Sequence, residues 1–197
     1  PIFSIIDDMF QELVNVLHGV YLIKELSPRT LDFIMSFGER LSASIISEAL
    51  QTVHIENEYL DARPVIKTDN NFGNGKVNQE LTGTLIKDYF QSHRKLQIIT
   101  GFIASTEHNE TTTLGRGGSD YSASIFASAL GATELEIWTD VDGIMTTDPK
   151  KVKKAFPVKH ISYKEAMEMS HFGAKVIYPP TLIPAFEKKI PVRIKNT

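Results

Sequence analysis

Apolar residues recur at three- and four-residue intervals through Phe3, Ile6, Phe10, Leu13 and Leu17, the period of one face of an α-helix. Ser27 followed by Pro28 is an N-cap and first-turn pair, and it predicts a second helix with Leu31, Ile34, Leu41, Ile45 and Leu50 along one side. Gly38 lies inside that helix. An interior glycine costs about 1 kcal/mol against alanine, so Phe37-Gly38-Glu39-Arg40 asks for either tight packing or close approach of a ligand. Arg63 to Thr68 reads as a short strand, and Asp69 to Gly75 as a loop rich in turn formers. A helix over Asn78–Gln91 follows, then an apolar strand over Leu96–Thr100 that ends at Gly101. Ser105 to Thr113 contains a hairpin, Ser119 to Leu130 a helix, Leu135 to Thr139 a strand and Asp140 to Lys154 a loop. Ser162-Tyr163-Lys164-Glu165 is a capping box that starts another helix. Pro179 and Pro180 open a last one, and Val192-Arg193-Ile194 closes as a strand. Strands alternating with helices predict one α/β domain with a mostly parallel sheet covered on both faces.

Composition narrows the function classes. The 197 residues are 42% hydrophobic and 23% charged, as in an ordinary globular protein with a sizeable core. Cysteine is absent, which excludes a disulfide framework, a thiolate metal site and a thiol nucleophile. A net charge of −3 gives no global attraction to nucleic acid or to an anionic membrane. Apolar runs of only a few residues cannot span a bilayer, and no signal peptide is seen, so the expected location is the cytoplasm. The chain opens at Pro1 in the middle of a helical pattern, without an initiator Met, which predicts a fragment.

The densest chemical signal is Leu114-Gly115-Arg116-Gly117-Gly118-Ser119-Asp120, directly before a helix. Glycines and a serine there point backbone N–H groups at an anion beside the positive end of the helix dipole. Arg116 adds a fork suited to carboxylate or phosphate, and Asp120 falls in the helix's first turn. A plain glycine-rich turn with an ordinary cap is the alternative, and Arg116 tips the balance toward an anion site. No Gly-Lys-Ser/Thr follows, so this is not a Walker A loop, and its position does not fit the dinucleotide fingerprint.

A second segment, Ile137 to Lys150, follows an apolar strand, where ligands of open α/β sheets bind. Asp140, Asp142 and Asp148 there are candidate acceptors. The Asp140-x-Asp142-Gly143 spacing fails as a calcium loop because its twelfth position is Lys151 instead of glutamate. A surface turn held by Asx-type hydrogen bonds stays equally open. Lys150 to Lys154 reads as a solvated run in which only the first lysine is near enough to the aspartates to meet a phosphate. Phe172-Gly173-Ala174-Lys175-Val176 puts one cation beside a glycine, a weak signal alone. The six histidines have no spacing that makes a metal centre or a His-based triad.

Taken in order, these segments resemble aspartokinases of the amino-acid kinase superfamily. Ser36-Phe37-Gly38-Glu39-Arg40-Leu41-Ser42, Gly101-Phe102-Ile103, Leu114 to Ser122, Trp138 to Gly143 and Phe172 to Val176 carry the likeness over essentially the whole chain. Thr139-Asp140-Val141-Asp142-Gly143 and the ending Ile194-Lys195-Asn196-Thr197 look most like the kinase part of bifunctional aspartokinase–homoserine dehydrogenases. The resemblance implies a three-layer αβα sandwich and transfer of the ATP γ-phosphoryl group to the side-chain carboxylate of L-aspartate. The product would be 4-phospho-L-aspartate, and the step would open lysine, threonine and methionine biosynthesis.

By the same resemblance, Glu39 accepts from the aspartate ammonium and Phe102 forms part of the substrate wall. Arg116 grips a carboxylate, with Gly117, Gly118 and Ser119 as further donors. Asp120 is the catalytic aspartate that holds lysines around the transferring phosphate, and Lys175 is catalytic beside the phosphates. Thr139, Asp140, Met145, Lys150, Lys175 and Val176 belong to the nucleotide site. Met145 stands where the family often has Tyr, and Lys150 replaces a frequent Arg, exchanging a fork for a point charge. ATP and Mg²⁺ are the implied cofactors, the ion bound mainly through phosphates with no protein metal site, and a homo-oligomer is implied for the full-length protein.

The Lys-Phe-Gly-Gly-Thr strand and glycine loop of aspartokinases have no counterpart here, nor do their ACT domains. Residues 1–197 are therefore expected to be a partial catalytic domain, inactive alone. Kinases acting on glutamate, acetylglutamate or UMP are the enzymatic alternatives, and a non-catalytic binding module of the same fold is the other; Glu39 as an ammonium acceptor favours a free amino acid.

Overall fold

The computed structural model of the protein describes residues 2–147, 152–171 and 178–197. The chain forms two compact units, Pro1–Ser119 and Asp120–Thr197, divided within the first turn of one helix.

The first unit begins with α1 (Ile2–Ile23) and α2 (Pro28–Thr52). Ser27 caps α2 as its sequence position predicts, accepting from the Thr30 amide at 3.1 Å, with Pro28 at the first helical position. The buried side of α2 differs from expectation. It is Asp32, Ser36, Phe37, Ala43, Ser44 and Ser47 that turn inward, whereas Leu31 and Ile45 are exposed. Small and polar side chains let α2 lie close against β1 (Asn57–Leu60), β3 (Leu96–Ile99) and β5 (Thr111–Thr113). Strand β1 was not foreseen. Its residues are mixed in polarity, and it exists because it pairs in parallel with β3 from Asn57↔Leu96 to Leu60↔Ile99.

The expected Arg63–Thr68 strand shrinks to β2 (Lys67–Thr68), because Asp61 captures the Arg63 guanidinium and backbone amide and turns the chain there. Strand β2 pairs in parallel with β4 (Ile103–Thr106), and β4 and β5 make the expected antiparallel hairpin. Helix α3 (Gln79–Ser92) is capped by Asn78. Phe37, Ile66, Ile86 and Ile103 are fully buried in this unit, among buried threonines such as Thr68 and Thr112, whose hydroxyls bond each other at 2.7 Å.

The second unit contains most of α4 (Gly118–Leu130), then β6 (Leu135–Thr139), α5 (Tyr163–His171), a 3₁₀ turn at Pro179–Leu182, α6 (Ile183–Glu187) and β7 (Val192–Asn196). The capping box forms as read: Glu165 accepts from the Ser162 amide at 2.8 Å, and Ser162 Oγ accepts from the Glu165 amide at 3.3 Å. Strands β6 and β7 pair in parallel, and their inward residues pack with Ala127, Leu182, Ala185 and Ile190. Three of the four strand pairings among the described residues are parallel, as expected of this α/β class.

One buried polar pair fixes α2 on β1. Ser47 Oγ donates to Asn57 Oδ1 at 2.6 Å, and Asn57 Nδ2 donates to the Ser47 and Ile55 carbonyls at 3.0 Å. Asn57→Ala strands these groups without solvent, so it should lower stability by about 2 kcal/mol in urea unfolding; an unchanged midpoint would refute the role.

Candidate active site

In the first unit the ends of β3 and β5 come together with the middle of α2. Ile103 N–H donates to the Gly101 carbonyl at 2.7 Å across Phe102, whose φ is +66°. This is a left-handed γ-turn, a rare and strained three-residue reversal that strands and loops keep when its central side chain must be aimed. The Phe102 carbonyl accepts from the Leu114 amide at 2.9 Å, so the turn is tied to the start of the glycine loop.

The loop itself uses glycine for two distinct reasons. Gly115 and Gly117 have φ of +69° and +70°, which β-carbon-bearing residues resist. Gly118 has an ordinary φ, but a Cβ there would lie 2.6 Å from Phe102 Cδ2, inside contact distance. The ring therefore rests directly over the Gly118 backbone. A bond of 3.0 Å from the Gly118 amide to the Gly115 carbonyl closes the turn and starts α4, leaving Arg116 and Ser119 exposed beside the helix N-terminus. Backbone amides at that end suit an anion.

Glu39 is half-buried on α2, and its carboxylate accepts from the Gly101 backbone amide. Burial raises its pKa above the ordinary 4.5, and the Gly101 bond only partly offsets this. Gly101 in turn approaches Ser119, where a Cβ on Gly101 would sit 3.1 Å from the serine Cβ. The first unit thus assembles Glu39, Phe102, Gly117, Gly118 and Ser119, with Arg116 on the same loop. Gly38 is exposed, and a Cβ there would meet nothing within 4 Å, which removes tight packing as its reason.

In the second unit Asp120 occupies the first turn of α4, half-buried, and burial raises its pKa as well. Thr139 and Asp140 stand at the carboxyl end of β6, with Thr139 Oγ1 donating to Asp140 Oδ1 at 3.2 Å. The loop beyond is held by Asn196, which donates to Asp142 at 2.7 Å, and by a bridge between Met145 and Pro157. Asp142 is therefore occupied in holding the turn to β7, the structural role left open for this loop, while Met145 sits at its far side. Lys150, Lys175 and Val176 lie outside the described residues. Among the described residues, no three His, Asp or Glu groups gather to hold a metal ion, and no helix is long and apolar enough to cross a membrane.

Sequence reasoning missed Asp32. Its carboxylate, 1% exposed, accepts from the Gly73 amide, the Thr113 amide and the Thr113 hydroxyl. The signal was present in the spacing: Asp32, Ser36 and Glu39 follow i, i+4, i+7 on one face of α2.

Comparison with known proteins gives a consistent picture. The model of the amino acid kinase family matches residues 10–196. Aspartokinase 1, chloroplastic, of Arabidopsis thaliana is 39% identical over 98% of this chain and 35% of its own length. The bifunctional aspartokinase/homoserine dehydrogenase of Buchnera aphidicola is also 39% identical, over 98% of this chain and 24% of its own. The chain thus spans only about a quarter to a third of these relatives. The crystal structure of Escherichia coli aspartokinase III in complex with aspartate and ADP superposes with a TM-score of 0.92 at 36% identity, covering 99% of this chain and 44% of that one.

The raised pKa values of Glu39 and Asp120 have a defined consequence for stability. Each native carboxyl holds its proton to higher pH than its unfolded counterpart, so stability falls as pH rises from the ordinary carboxylate range through the native pKa. Glu39→Gln and Asp120→Asn should therefore melt higher than the parent at pH 7, with the difference vanishing below pH 4. A variant that melts lower at pH 7 and equal at acid pH would contradict the burial penalty.

Proposed function

The chain belongs to the amino acid kinase family, and from that premise we propose that it forms part of the catalytic domain of an aspartate kinase. The observation that carries the reading is the placement of Glu39, through Gly101, against the loop that bears Arg116 and Ser119. An acidic group and a guanidinium flanking a helix N-terminus match the ammonium and carboxylate of a free amino acid. The relatives and the solved neighbour named above support L-aspartate as that amino acid and a nucleoside triphosphate as the phosphoryl donor.

In this reading a side-chain carboxylate oxygen of L-aspartate attacks the γ-phosphorus of ATP, the bond to the β-phosphate oxygen breaks, and ADP leaves with 4-phospho-L-aspartate as product. A carboxylate is already ionised at neutral pH, so no general base is required. The protein's task is to align two anions and to offset the charge that repels them. Arg116, the amides of Gly117 and Ser119 and the Ser119 hydroxyl hold the substrate carboxylate, while Gly118, whose own amide is bonded to the Gly115 carbonyl, shapes the turn that presents them. Glu39 fixes the ammonium and so the direction in which the side chain points. The Phe102 ring, stiffened by its γ-turn, walls the pocket. Asp120 orients cations around the phosphoryl group, Lys175 among them, and Thr139, Asp140, Met145, Lys150 and Val176 serve the nucleotide side.

Mg²⁺ fits as an ion carried by the phosphates. Mg²⁺ keeps most of its waters and needs few protein carboxylates when phosphates carry it. Such an ion would supply neutralisation of phosphate charge during transfer. The reaction begins the route to lysine, threonine and methionine, and we place it in the cytoplasm, in a homo-oligomer.

In the intact protein, a coupled ADP-release assay should show turnover with L-aspartate in preference to L-glutamate; preference for glutamate would move the assignment to another kinase of the family. Arg116→Ala should raise the aspartate KM about tenfold or more, by loss of a charge-assisted pair, with a smaller change in kcat. Asp120→Ala should instead lower kcat by about a hundredfold or more. An Arg116 variant with unchanged KM would sink the role given to it.

A further inference from the structure

The buried carboxylate of Asp32 lies on the same face of α2 as Glu39, seven residues earlier and so about 10 Å along the helix axis. Its three donors, the Gly73 amide at 2.7 Å and the Thr113 amide and hydroxyl at 2.9 Å, are all neutral. Burying a polar side chain is expensive unless its hydrogen-bonding groups are all used, and an apolar residue would satisfy helix packing more simply. What the three bonds accomplish is connection. Thr113 is the last residue of β5, and the glycine loop begins one residue later. Gly73 belongs to the 69–75 turn, whose Asn74 Oδ1 sits where a Cβ of Gly115 would be 2.5 Å away, and whose Gly75 amide returns to the Thr113 carbonyl at 2.8 Å. One carboxylate therefore ties α2 to both the strand feeding the glycine loop and the turn that braces Gly115.

We propose that Asp32 is a positioning residue of the aspartate site: it sets the glycine loop bearing Arg116 in register with Glu39 on its own helix. The inference rests on the aspartate kinase reading for its choice of substrate. Asp32 touches no substrate in this scheme. It acts by fixing the spacing between the group that takes the ammonium and the group that takes the carboxylate, and a misplacement of about 1 Å there is enough to cost up to a hundredfold in rate.

The test uses Asp32→Asn, which keeps shape but replaces one acceptor by a donor, in the intact protein. The aspartate KM should rise about tenfold while the ATP KM stays within about twofold. In the double variant with Arg116→Ala the aspartate penalty should be much smaller than the product of the two single effects, because both changes disable one element. Amide exchange should quicken at Gly73 and across Leu114–Gly118, and stay as in the parent across β1 and β3. Thr113→Val, which removes only the hydroxyl donor, should move the same quantities less and covers the case in which Asp32→Asn does not fold. Multiplicative KM effects, an equal rise in both KM values, or exchange that quickens uniformly would each overturn the proposal. Should the parent show no turnover of aspartate, the function proposed above fails, while the exchange pattern still decides whether Asp32 anchors the loop.

Discussion

The first unit is organised by one close approach. The Phe102 ring lies over the Gly118 backbone, at a distance that leaves no room for a β-carbon between them. To reach that position the chain must reverse within three residues at Phe102, at a positive φ that a phenylalanine pays strain to adopt. The glycine loop must also turn through two further left-handed residues before α4 can begin. Hydrogen bonds from Ile103 to Gly101 and from Leu114 to Phe102 hold this arrangement. Given that contact, the helix N-terminus, the exposed Arg116 and the Gly101 amide that Glu39 accepts from are all placed.

The electrostatics follow the same geometry. Glu39 and Asp120 are half-buried carboxyls whose pKa values are raised by the loss of water, a state that works against stability at neutral pH. A protein selected only to fold would replace them. Their presence is understandable where a cationic ammonium, or lysines around a phosphate, complete the charge balance on ligand binding. Asp61 beside Arg63 shows the contrast, since that carboxylate takes its cation from within the chain through several bonds and shapes a turn.

Much of the architecture was readable because its signals are local. Ser27 caps the helix it was expected to cap, a helix lies within a residue of the expected 78–91 limits, the Ser162–Glu165 box closes in both directions, and β6 has the predicted limits Leu135–Thr139. The failures were non-local. Strand β1 has no alternating pattern and is specified by its parallel partner β3, while β2 is shortened by the Asp61–Arg63 turn. The face of α2 was misjudged for a related reason. Its large apolar residues Leu31 and Ile45 are exposed, and apart from Phe37 its inward face is small or polar, with Asn57 of β1 and Thr113 of β5 as hydrogen-bond partners. A rule that sends apolar residues inward cannot see those partners.

The candidate site divides in the same way. By itself the sequence determined which residues carry charge and freedom: Arg116 and its glycines, Glu39 in a helix, Asp120 in a first turn, Thr139 and Asp140 after a strand. Those are properties of residue type and of neighbours within four positions, where helical and turn periodicity operate. Only the tertiary structure decided that Glu39 meets the Gly101 amide, that Phe102 covers Gly118, and that Asp32 joins Gly73 to Thr113. Each of those contacts spans from 16 to 81 residues of chain and depends on how strands align. Their partners are mostly backbone amides, which every residue but proline possesses, so no side-chain alphabet could have announced them.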